Sequence, residues 1–103
     1  MDISVNMLKI ATWNVNSLRV RLPQVLDWIK INEPTILALQ ETKLLDENFP
    51  ELAFKEIGYH AVFSGQKAYN GVALLSRIPP TEISTAMPEF IDPQKRFLAA
   101  TYP

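Results

Sequence analysis

The sequence predicts an α/β fold on three observations. An alternating segment at 8–14 and an apolar run at 35–40 each have the length of a strand, and an amphipathic segment lies between them. A strand, a helix and a strand in this order form a βαβ unit, whose crossover is right-handed in nearly all proteins. With 103 residues, of which 48% are hydrophobic, the chain has the size of one small domain with a packed core.

The βαβ unit begins with the strand at 8–14 and continues through a polar segment at 15–21, which predicts a loop. A helix is expected to follow. Its apolar face is formed, at the spacing i, i+3, i+4 and i+7, by Leu22, Val25, Leu26 and Ile29. Pro23 suits the first turn of this helix, where its missing N–H is no loss, and Pro34 ends the pattern.

The second strand, at 35–40, is an almost unbroken apolar run, which is typical of a strand covered on both faces and paired in parallel. We then expect a short second helix that starts near Asn48 or Pro50 and ends at Gly58. The remaining predicted elements are strands at 59–64 and 72–76 joined by a hairpin-like loop at 65–71, turns from 78 to 93 with a short strand near Ile83, and a last strand at 97–102.

Composition excludes several classes of protein. The absence of cysteine excludes a disulfide scaffold, a thiolate zinc site and a cysteine nucleophile. Ten basic against 11 acidic residues exclude a wholly basic nucleic-acid clamp, and with three glycines there is no phosphate loop or dinucleotide fingerprint. No apolar run is long enough to cross a bilayer and no secretory signal is evident, so we expect a soluble cytoplasmic protein without a membrane partner.

A candidate metal site lies where the two parallel strands end. Asn14 ends the first strand and Glu41 follows the second. Because the carboxyl ends of parallel strands meet at one edge of a sheet, these side chains are expected to lie close together. Their oxygen atoms suit Mg²⁺, which keeps several waters and needs one or two protein carboxylates. An Asn and a Glu at strand ends also occur as ordinary turn residues, so both interpretations stay open at this stage.

Basic and polar side chains cluster around the same predicted edge. Such a mixture is typical of surfaces that hold a phosphate backbone, although for each residue alone a solvated polar rim is the better interpretation. The members of this rim are Asn16, Ser17, Arg19, Arg21, Lys43, Lys67, Tyr69 and Asn70.

Four other residues are interpreted as structural. His60 has no neighbour in the sequence that would orient it as a catalytic base, and Asp92 precedes a proline, as turn residues do. Trp13 and Trp28 are expected in the core, because each has apolar neighbours on its element.

Three segments resemble the exonuclease III branch of the AP endonucleases, which belong to the endonuclease/exonuclease/phosphatase superfamily. They are 10–19 (IATWNVNSLR), 37–43 (LALQETK) and 65–76 (GQKAYNGVALLS). Their order and spacing together are far more specific than any one of them. The resemblance extends from about Met7 to the end, so residues 1–6 are an extension, or Met7 is the true start.

This resemblance implies a four-layered α/β sandwich of two sheets with outer helices. It also implies Mg²⁺-dependent hydrolysis of DNA phosphodiesters, with Mn²⁺ as an alternative ion, on double-stranded DNA with abasic sites or 3′ ends. Asn14 and Glu41 fall on metal-site positions of the family, and Lys43 lies where it can orient Glu41. The implied DNA-binding residues are Asn16, Arg19, Lys43, Lys67 and Tyr69. Ser17 departs from the pattern, since the family more often has glycine there.

A larger departure concerns length. The catalytic Tyr, the Asp-x-Asn motif and the Asp-His pair of the family all lie beyond residue 103, so residues 1–103 are expected to be the N-terminal part of one domain and inactive alone. One apolar face of the sheet would then lack its cover, and the chain is expected to associate with itself or with the missing half. Two alternatives remain: a phosphatase of the same superfamily, and a non-catalytic DNA- or protein-binding module.

Overall fold

The computed structural model describes residues 8–86 and 94–103. The proposed extension at 1–6 and the proposed turn residue Asp92 lie outside the described residues. The elements are β1 (Ile10–Asn14), α1 (Leu18–Asn32), β2 (Ile36–Gln40), a 3₁₀ helix (Asp46–Asn48), α2 (Glu51–Glu56), β3 (His60–Ser64), β4 (Val72–Ser76), β5 (Glu82–Ser84) and β6 (Ala99–Thr101). Among the described helices, none has the length and apolar character needed to span a membrane.

Four strands form one mixed sheet in the order β1-β2-β4-β3. β1 and β2 are parallel, as predicted for the βαβ unit, whereas β4 is antiparallel to both β2 and β3. The predicted hairpin is therefore confirmed. β5 and β6 form a separate two-stranded antiparallel sheet, and this confirms the short strand expected near Ile83.

The register of the sheet defines two opposite edges. Asn14, Gln40, Val72 and Ser64 form the row at one edge. His60 begins β3 and lies in the row at the other edge, with its side chain exposed, so it is remote from the strand ends that carry the candidate site.

That second edge is held partly by a buried tyrosine. The Tyr59 hydroxyl donates a hydrogen bond to the Pro34 carbonyl at 2.5 Å, which ties the start of β3 to the turn after α1. Burial raises the pKa of this hydroxyl above its ordinary value. Since Tyr59 lies away from the candidate site, this shift reflects packing rather than chemistry.

The core lies between one face of the sheet and the helices. Leu37 and Leu39 of β2 are 1% exposed and meet Val25 and Ile29 of α1, with Phe54 of α2 beside them. Each such side chain stabilises the fold by about 1.5–3 kcal/mol through removal of apolar area from water. Trp13 and Trp28 were also expected in the core, and both are partly buried against this cluster. Their rings pack edge to face, with centroids 6.3 Å apart.

The opposite face of the sheet is less well covered. Ile10 of β1 is 61% exposed, and Thr12 of the same strand is also exposed. Further along the same face, Ala38, Leu74 and Val62 are only half-buried. The structure therefore shows the apolar, incompletely covered face that the sequence led us to expect.

The predicted start of the first helix was wrong. α1 begins at Leu18 rather than near residue 22, and this places Pro23 inside the helix instead of in its first turn. The reason is not local, because the Leu18 N–H donates to the Thr42 carbonyl at 3.0 Å and the Leu18 side chain is fully buried. These tertiary contacts extend the helix backwards, at the loss of the one intrahelical hydrogen bond that Pro23 cannot donate to Arg19.

The open apolar face generates a prediction for a chain of these 103 residues. We expect it to form oligomers, and we expect Ile10→Lys to reduce their mass, because a charge on this face opposes its burial against a second copy. Ile31→Lys is the matched control, since Ile31 is 79% exposed on α1. Light scattering after gel filtration measures the masses. A cooperatively unfolding monomer of 11.7 kDa would contradict the prediction.

Candidate functional site

The two parallel strand ends bring together the predicted metal-site residues. Asn14 is the last residue of β1 and Glu41 directly follows β2, in adjacent strands of the sheet. The Asn14 Nδ2 donates a hydrogen bond to Glu41 Oε2. The parallel register thus places an amide and a carboxylate in direct contact at the edge where open α/β sheets bind their ligands.

Two further side chains join this pair into a network. The Lys43 ammonium donates to Asn16 Oδ1 at 2.6 Å and lies 3.9 Å from Glu41 Oε1, while the Asn16 backbone N–H donates to Asn14 Oδ1 at 3.1 Å. The Glu41 and Lys43 side chains are 43% and 30% exposed, so their ion pair contributes at most about 1 kcal/mol to stability. The network therefore orients the carboxylate more than it stabilises the fold.

Backbone hydrogen bonds fix the loops that carry these side chains. The loop after β1 is joined to the segment after β2 by Ser17 N–H to the Glu41 carbonyl at 2.9 Å and by Leu18 N–H to Thr42 at 3.0 Å. That segment is joined in turn to the loop before β4, because the Thr42 N–H donates to the Gly71 carbonyl at 3.1 Å. The three segments that carried the family resemblance are thus contiguous in space.

Several of these loop residues have left-handed backbone conformations. Non-glycine residues in this region are uncommon, and each such position costs on the order of 1–3 kcal/mol that the surrounding structure must offset. At the site they are Asn16, Ser17, Glu41, Lys43 and Asn70, with φ values of 44°, 90°, 55°, 57° and 52°. The φ of Ser17 is one that glycine adopts without strain, so the glycine expected at this position from the resemblance would fit the same backbone.

The predicted DNA-binding cations lie around a neighbouring cleft. Arg19, Lys43 and Lys67 line one cavity of about 610 Å³ between the start of α1, the segment after β2 and the β3–β4 loop. Tyr69 is 70% exposed on the same β3–β4 loop. Lys43 is the residue that belongs both to this cleft and to the Asn14–Glu41 network.

Sequence reasoning missed part of the site. A smaller cavity of about 200 Å³ is lined by Asn14 and Glu41 together with Gln40, Asn70, Lys95 and Arg96. The Gly71 N–H donates to the Lys95 carbonyl at 2.8 Å, and the Lys95 N–H donates to Gln66 Oε1 at 2.6 Å, so this late segment is held against the β3–β4 loop. Two consecutive cations before the last strand were the signal in the sequence that could have indicated it.

The donor atoms fit a hard divalent cation. The Glu41 carboxylate and the Asn14 amide oxygen are oxygen ligands of the kind that Mg²⁺ accepts, and two protein ligands are enough when water and substrate complete the shell. In the described ranges, 8–86 and 94–103, no group of three or more His, Cys, Asp or Glu residues could hold a metal by itself. The described residues therefore offer two oxygen donors suited to a cation and do not form a closed metal site.

The mixed sheet and this polar edge define an α/β protein with a site suited to a cation and a phosphate group. Residues 11–100 match the Endonuclease/Exonuclease/phosphatase family, and the chain belongs to this family. The α/β fold and the resemblance noted from the sequence are thereby confirmed.

Named relatives are nucleases of DNA repair. The chain is 38% identical over 94 residues to exodeoxyribonuclease III of Haemophilus influenzae and 32% identical over 105 residues to the DNA repair nuclease APEX1 of Danio rerio, covering 90% and 93% of this chain. It spans only 35% and 33% of those two proteins.

Two solved structures of DNA-processing enzymes are also similar to this chain. The 3′ phosphatase NExo from Neisseria, bound to a product DNA hairpin, has 52% identity and a TM-score of 0.89, over 92% of this chain and 37% of that one. An AP endonuclease from Archaeoglobus fulgidus has 49% identity and a TM-score of 0.87, over 91% of this chain and 37% of that one.

The contact between the loops predicts a stability difference between two glycines. A Cβ at Gly71 would lie 2.2 Å from Thr42 Oγ1, whereas a Cβ at Gly58 would meet no other part of the described structure within 4 Å. Both have a similar positive φ, of 92° and 87°. We expect Gly71→Ala to lower the free energy of unfolding by about 1–3 kcal/mol more than Gly58→Ala, because only the first adds an overlap to the shared backbone strain.

Chemical denaturation of the two variants measures this difference. Equal destabilisation by Gly58→Ala and Gly71→Ala would show that the junction between the loops is not tightly packed.

Proposed function

We propose that the protein hydrolyses DNA phosphodiesters with a divalent cation, Mg²⁺ or alternatively Mn²⁺, incising double-stranded DNA at abasic sites and removing nucleotides from 3′ ends. The observation that carries the proposal is the direct contact of Asn14 and Glu41 beside a cluster of cations. The names of the relatives support DNA as the substrate. Since the chain spans about a third of those relatives, the activity is assigned to the whole protein.

Asn14 and Glu41 are the residues that would hold the metal. When bound, a divalent ion there neutralises phosphate charge and stabilises the leaving oxygen. Lys43 keeps the Glu41 carboxylate oriented through its position between Glu41 and Asn16. The cavity beside this pair is also lined by Lys95 and Arg96, whose charges favour the entry of a phosphate.

The cationic cleft supplies the surface for the DNA backbone. Arg19 and Lys67 are exposed and lie in the same cleft as Lys43, and Tyr69 projects from the adjoining loop. Contacts of this kind fix the position of the duplex and carry little information about base sequence. We therefore infer that recognition depends on the lesion or the DNA end rather than on neighbouring bases.

A second candidate is favoured by one comparison. The Neisseria relative at 52% identity is a 3′ phosphatase. The same oxygen donors and cations suit a terminal phosphate as well as an internal one. Release of inorganic phosphate from a 3′-phosphorylated hairpin, compared with incision of an abasic duplex by the same preparation, decides which activity dominates.

For Glu41→Gln in the full-length protein we expect at least a tenfold rise in the Mg²⁺ concentration needed for half-maximal rate and about 10²-fold slower cleavage at fixed Mg²⁺. Gln keeps the size of the side chain but removes the charge. Glu47→Gln is the control, because Glu47 lies exposed in the 3₁₀ helix. A metal titration of the cleavage rate is the measurement.

DNA binding by Glu41→Gln in the absence of metal should stay within about twofold of the unsubstituted protein, because the cationic cleft is intact. A cleavage rate unchanged at limiting Mg²⁺ would remove Glu41 from the metal site.

For Arg19→Ala we expect weaker binding to all DNA sequences and a salt dependence shallower by about one unit of log Kd per log salt, because one phosphate contact is lost. Lys30→Ala removes the same charge from the surface of α1, where Lys30 pairs with Asp27 at 3.6 Å, and should leave the slope unchanged. Fluorescence anisotropy across a salt series measures both slopes. Identical slopes for the two variants would assign Arg19 no role at the DNA backbone.

A further inference from the structure

The cationic cleft has an apolar floor that the binding of phosphate does not use. Between its three cations lie Leu22 of α1, Leu44 and Leu45 of the segment after β2, and Pro50 before α2. We name this surface the leucine cleft. Leu45 is 36% exposed, which leaves apolar area open to water in the middle of a charged surface. Such a combination marks an interaction site, since a phosphate backbone gains nothing from contact with leucine side chains.

Among the described residues, the charged side chains that line the leucine cleft are Arg19, Lys43 and Lys67, and Asn48 is the remaining polar side chain of the lining. Outside the lining, Glu47 of the 3₁₀ helix and Glu51 of α2 are exposed to solvent. Asp46, in the adjacent 3₁₀ helix, is turned to the β3–β4 loop, where Oδ1 accepts the Gly65 N–H at 2.8 Å. Glu41 faces Lys43 from the side of the sheet edge at 3.9 Å. The cations that line the cleft itself therefore favour an acidic ligand.

The two walls of the leucine cleft are held in place before any ligand binds. The Gly65–Asp46 hydrogen bond links the β3–β4 loop to the 3₁₀ helix, and a Cβ at Gly65 would lie 2.0 Å from the Leu44 carbonyl oxygen. The Lys43 N–H donates to the Asn70 carbonyl at 2.9 Å across the same junction. A preformed cleft requires less ordering on binding, so a short flexible ligand can be accommodated.

The lining also distinguishes between acidic ligands. Among the described residues that line the leucine cleft there is no aromatic ring, so a base held inside it would find no stacking partner there, and stacking is the usual source of affinity for single strands. An aliphatic side chain, in contrast, finds complementary leucine and proline surfaces.

We propose that the leucine cleft binds a short acidic peptide segment of another protein, with its aliphatic side chain on the floor and its carboxylates facing Arg19, Lys43 and Lys67. This interaction is independent of the proposed hydrolysis, although it shares cations with the proposed DNA surface. The peptide and DNA are therefore expected to compete.

The test uses the full-length protein and a fluorescein-labelled octapeptide of two central leucines flanked by aspartates. We expect saturable binding that is at least tenfold weaker when serines replace the leucines or asparagines replace the aspartates. Leu45→Asn, which removes apolar surface without adding charge, should weaken binding of the peptide at least tenfold. Leu52→Asn is the matched control, because Leu52 is 68% exposed on α2 and does not line the cleft.

Charge reversal provides a second test, with one variant inside the leucine cleft and one control variant outside it. Lys67→Glu should abolish peptide binding, and Lys55→Glu on the exposed side of α2 should not. Thermal midpoints within a few degrees of the unsubstituted protein establish that the variants are folded. The proposal is overturned if the octapeptide shows no saturable binding or if Leu45→Asn and Leu52→Asn bind it equally. It is also overturned if substitution of Leu45 weakens the binding of an unlabelled single-stranded oligonucleotide, measured by competition, as much as it weakens the binding of the peptide.

Discussion

The candidate site depends on one set of interactions, the backbone hydrogen bonds that join three loops at the edge of the sheet. Ser17 and Leu18 donate to the segment after β2, and Thr42 donates to Gly71 before β4. The side chains of the candidate site are partly exposed, and the Glu41–Lys43 ion pair is worth about 1 kcal/mol or less. Such a weak contact cannot by itself bring the two loops together. The backbone bonds do so, because they continue the sheet beyond its strands and fix the positions from which Asn14, Glu41 and Lys43 project.

This arrangement trades stability for geometry. Positive φ values recur at Ser17, Glu41 and Lys43, where ordinary side chains are strained. The core offsets that strain through the fully buried side chains of Leu37 and Leu39, which sit on the same strand that ends at the site. Burial of the Leu37 and Leu39 side chains within β2 therefore offsets the backbone strain of the residues that directly follow this strand, Glu41 and Lys43.

Strands and helices that are encoded by a local pattern of apolar residues could be predicted from the sequence. The apolar run at 35–40 and the alternation at 8–14 were enough to place Asn14 and Glu41 at one edge, because parallel strands end together. The early start of α1 could not be predicted, since it depends on the Leu18 hydrogen bond to Thr42, far along the chain. The approach of Lys95 to the site was missed for the same reason. Its position is set by hydrogen bonds to Gly71 and Gln66, and no local periodicity encodes such contacts.

The open set of oxygen donors at the candidate site and the incompletely covered sheet face are two aspects of one structural fact. Side chains alternate along a strand, so Asn14 shares its face of β1 with the exposed Ile10 and Thr12 and not with the side chains that meet α1. Whatever covers that face in the whole protein must therefore stand next to the oxygen donors of Asn14 and Glu41. The same packing that removes Ile10 from water would bring further side chains beside these oxygen donors and exclude solvent from them. Completion of the core and completion of the candidate site are thus a single step.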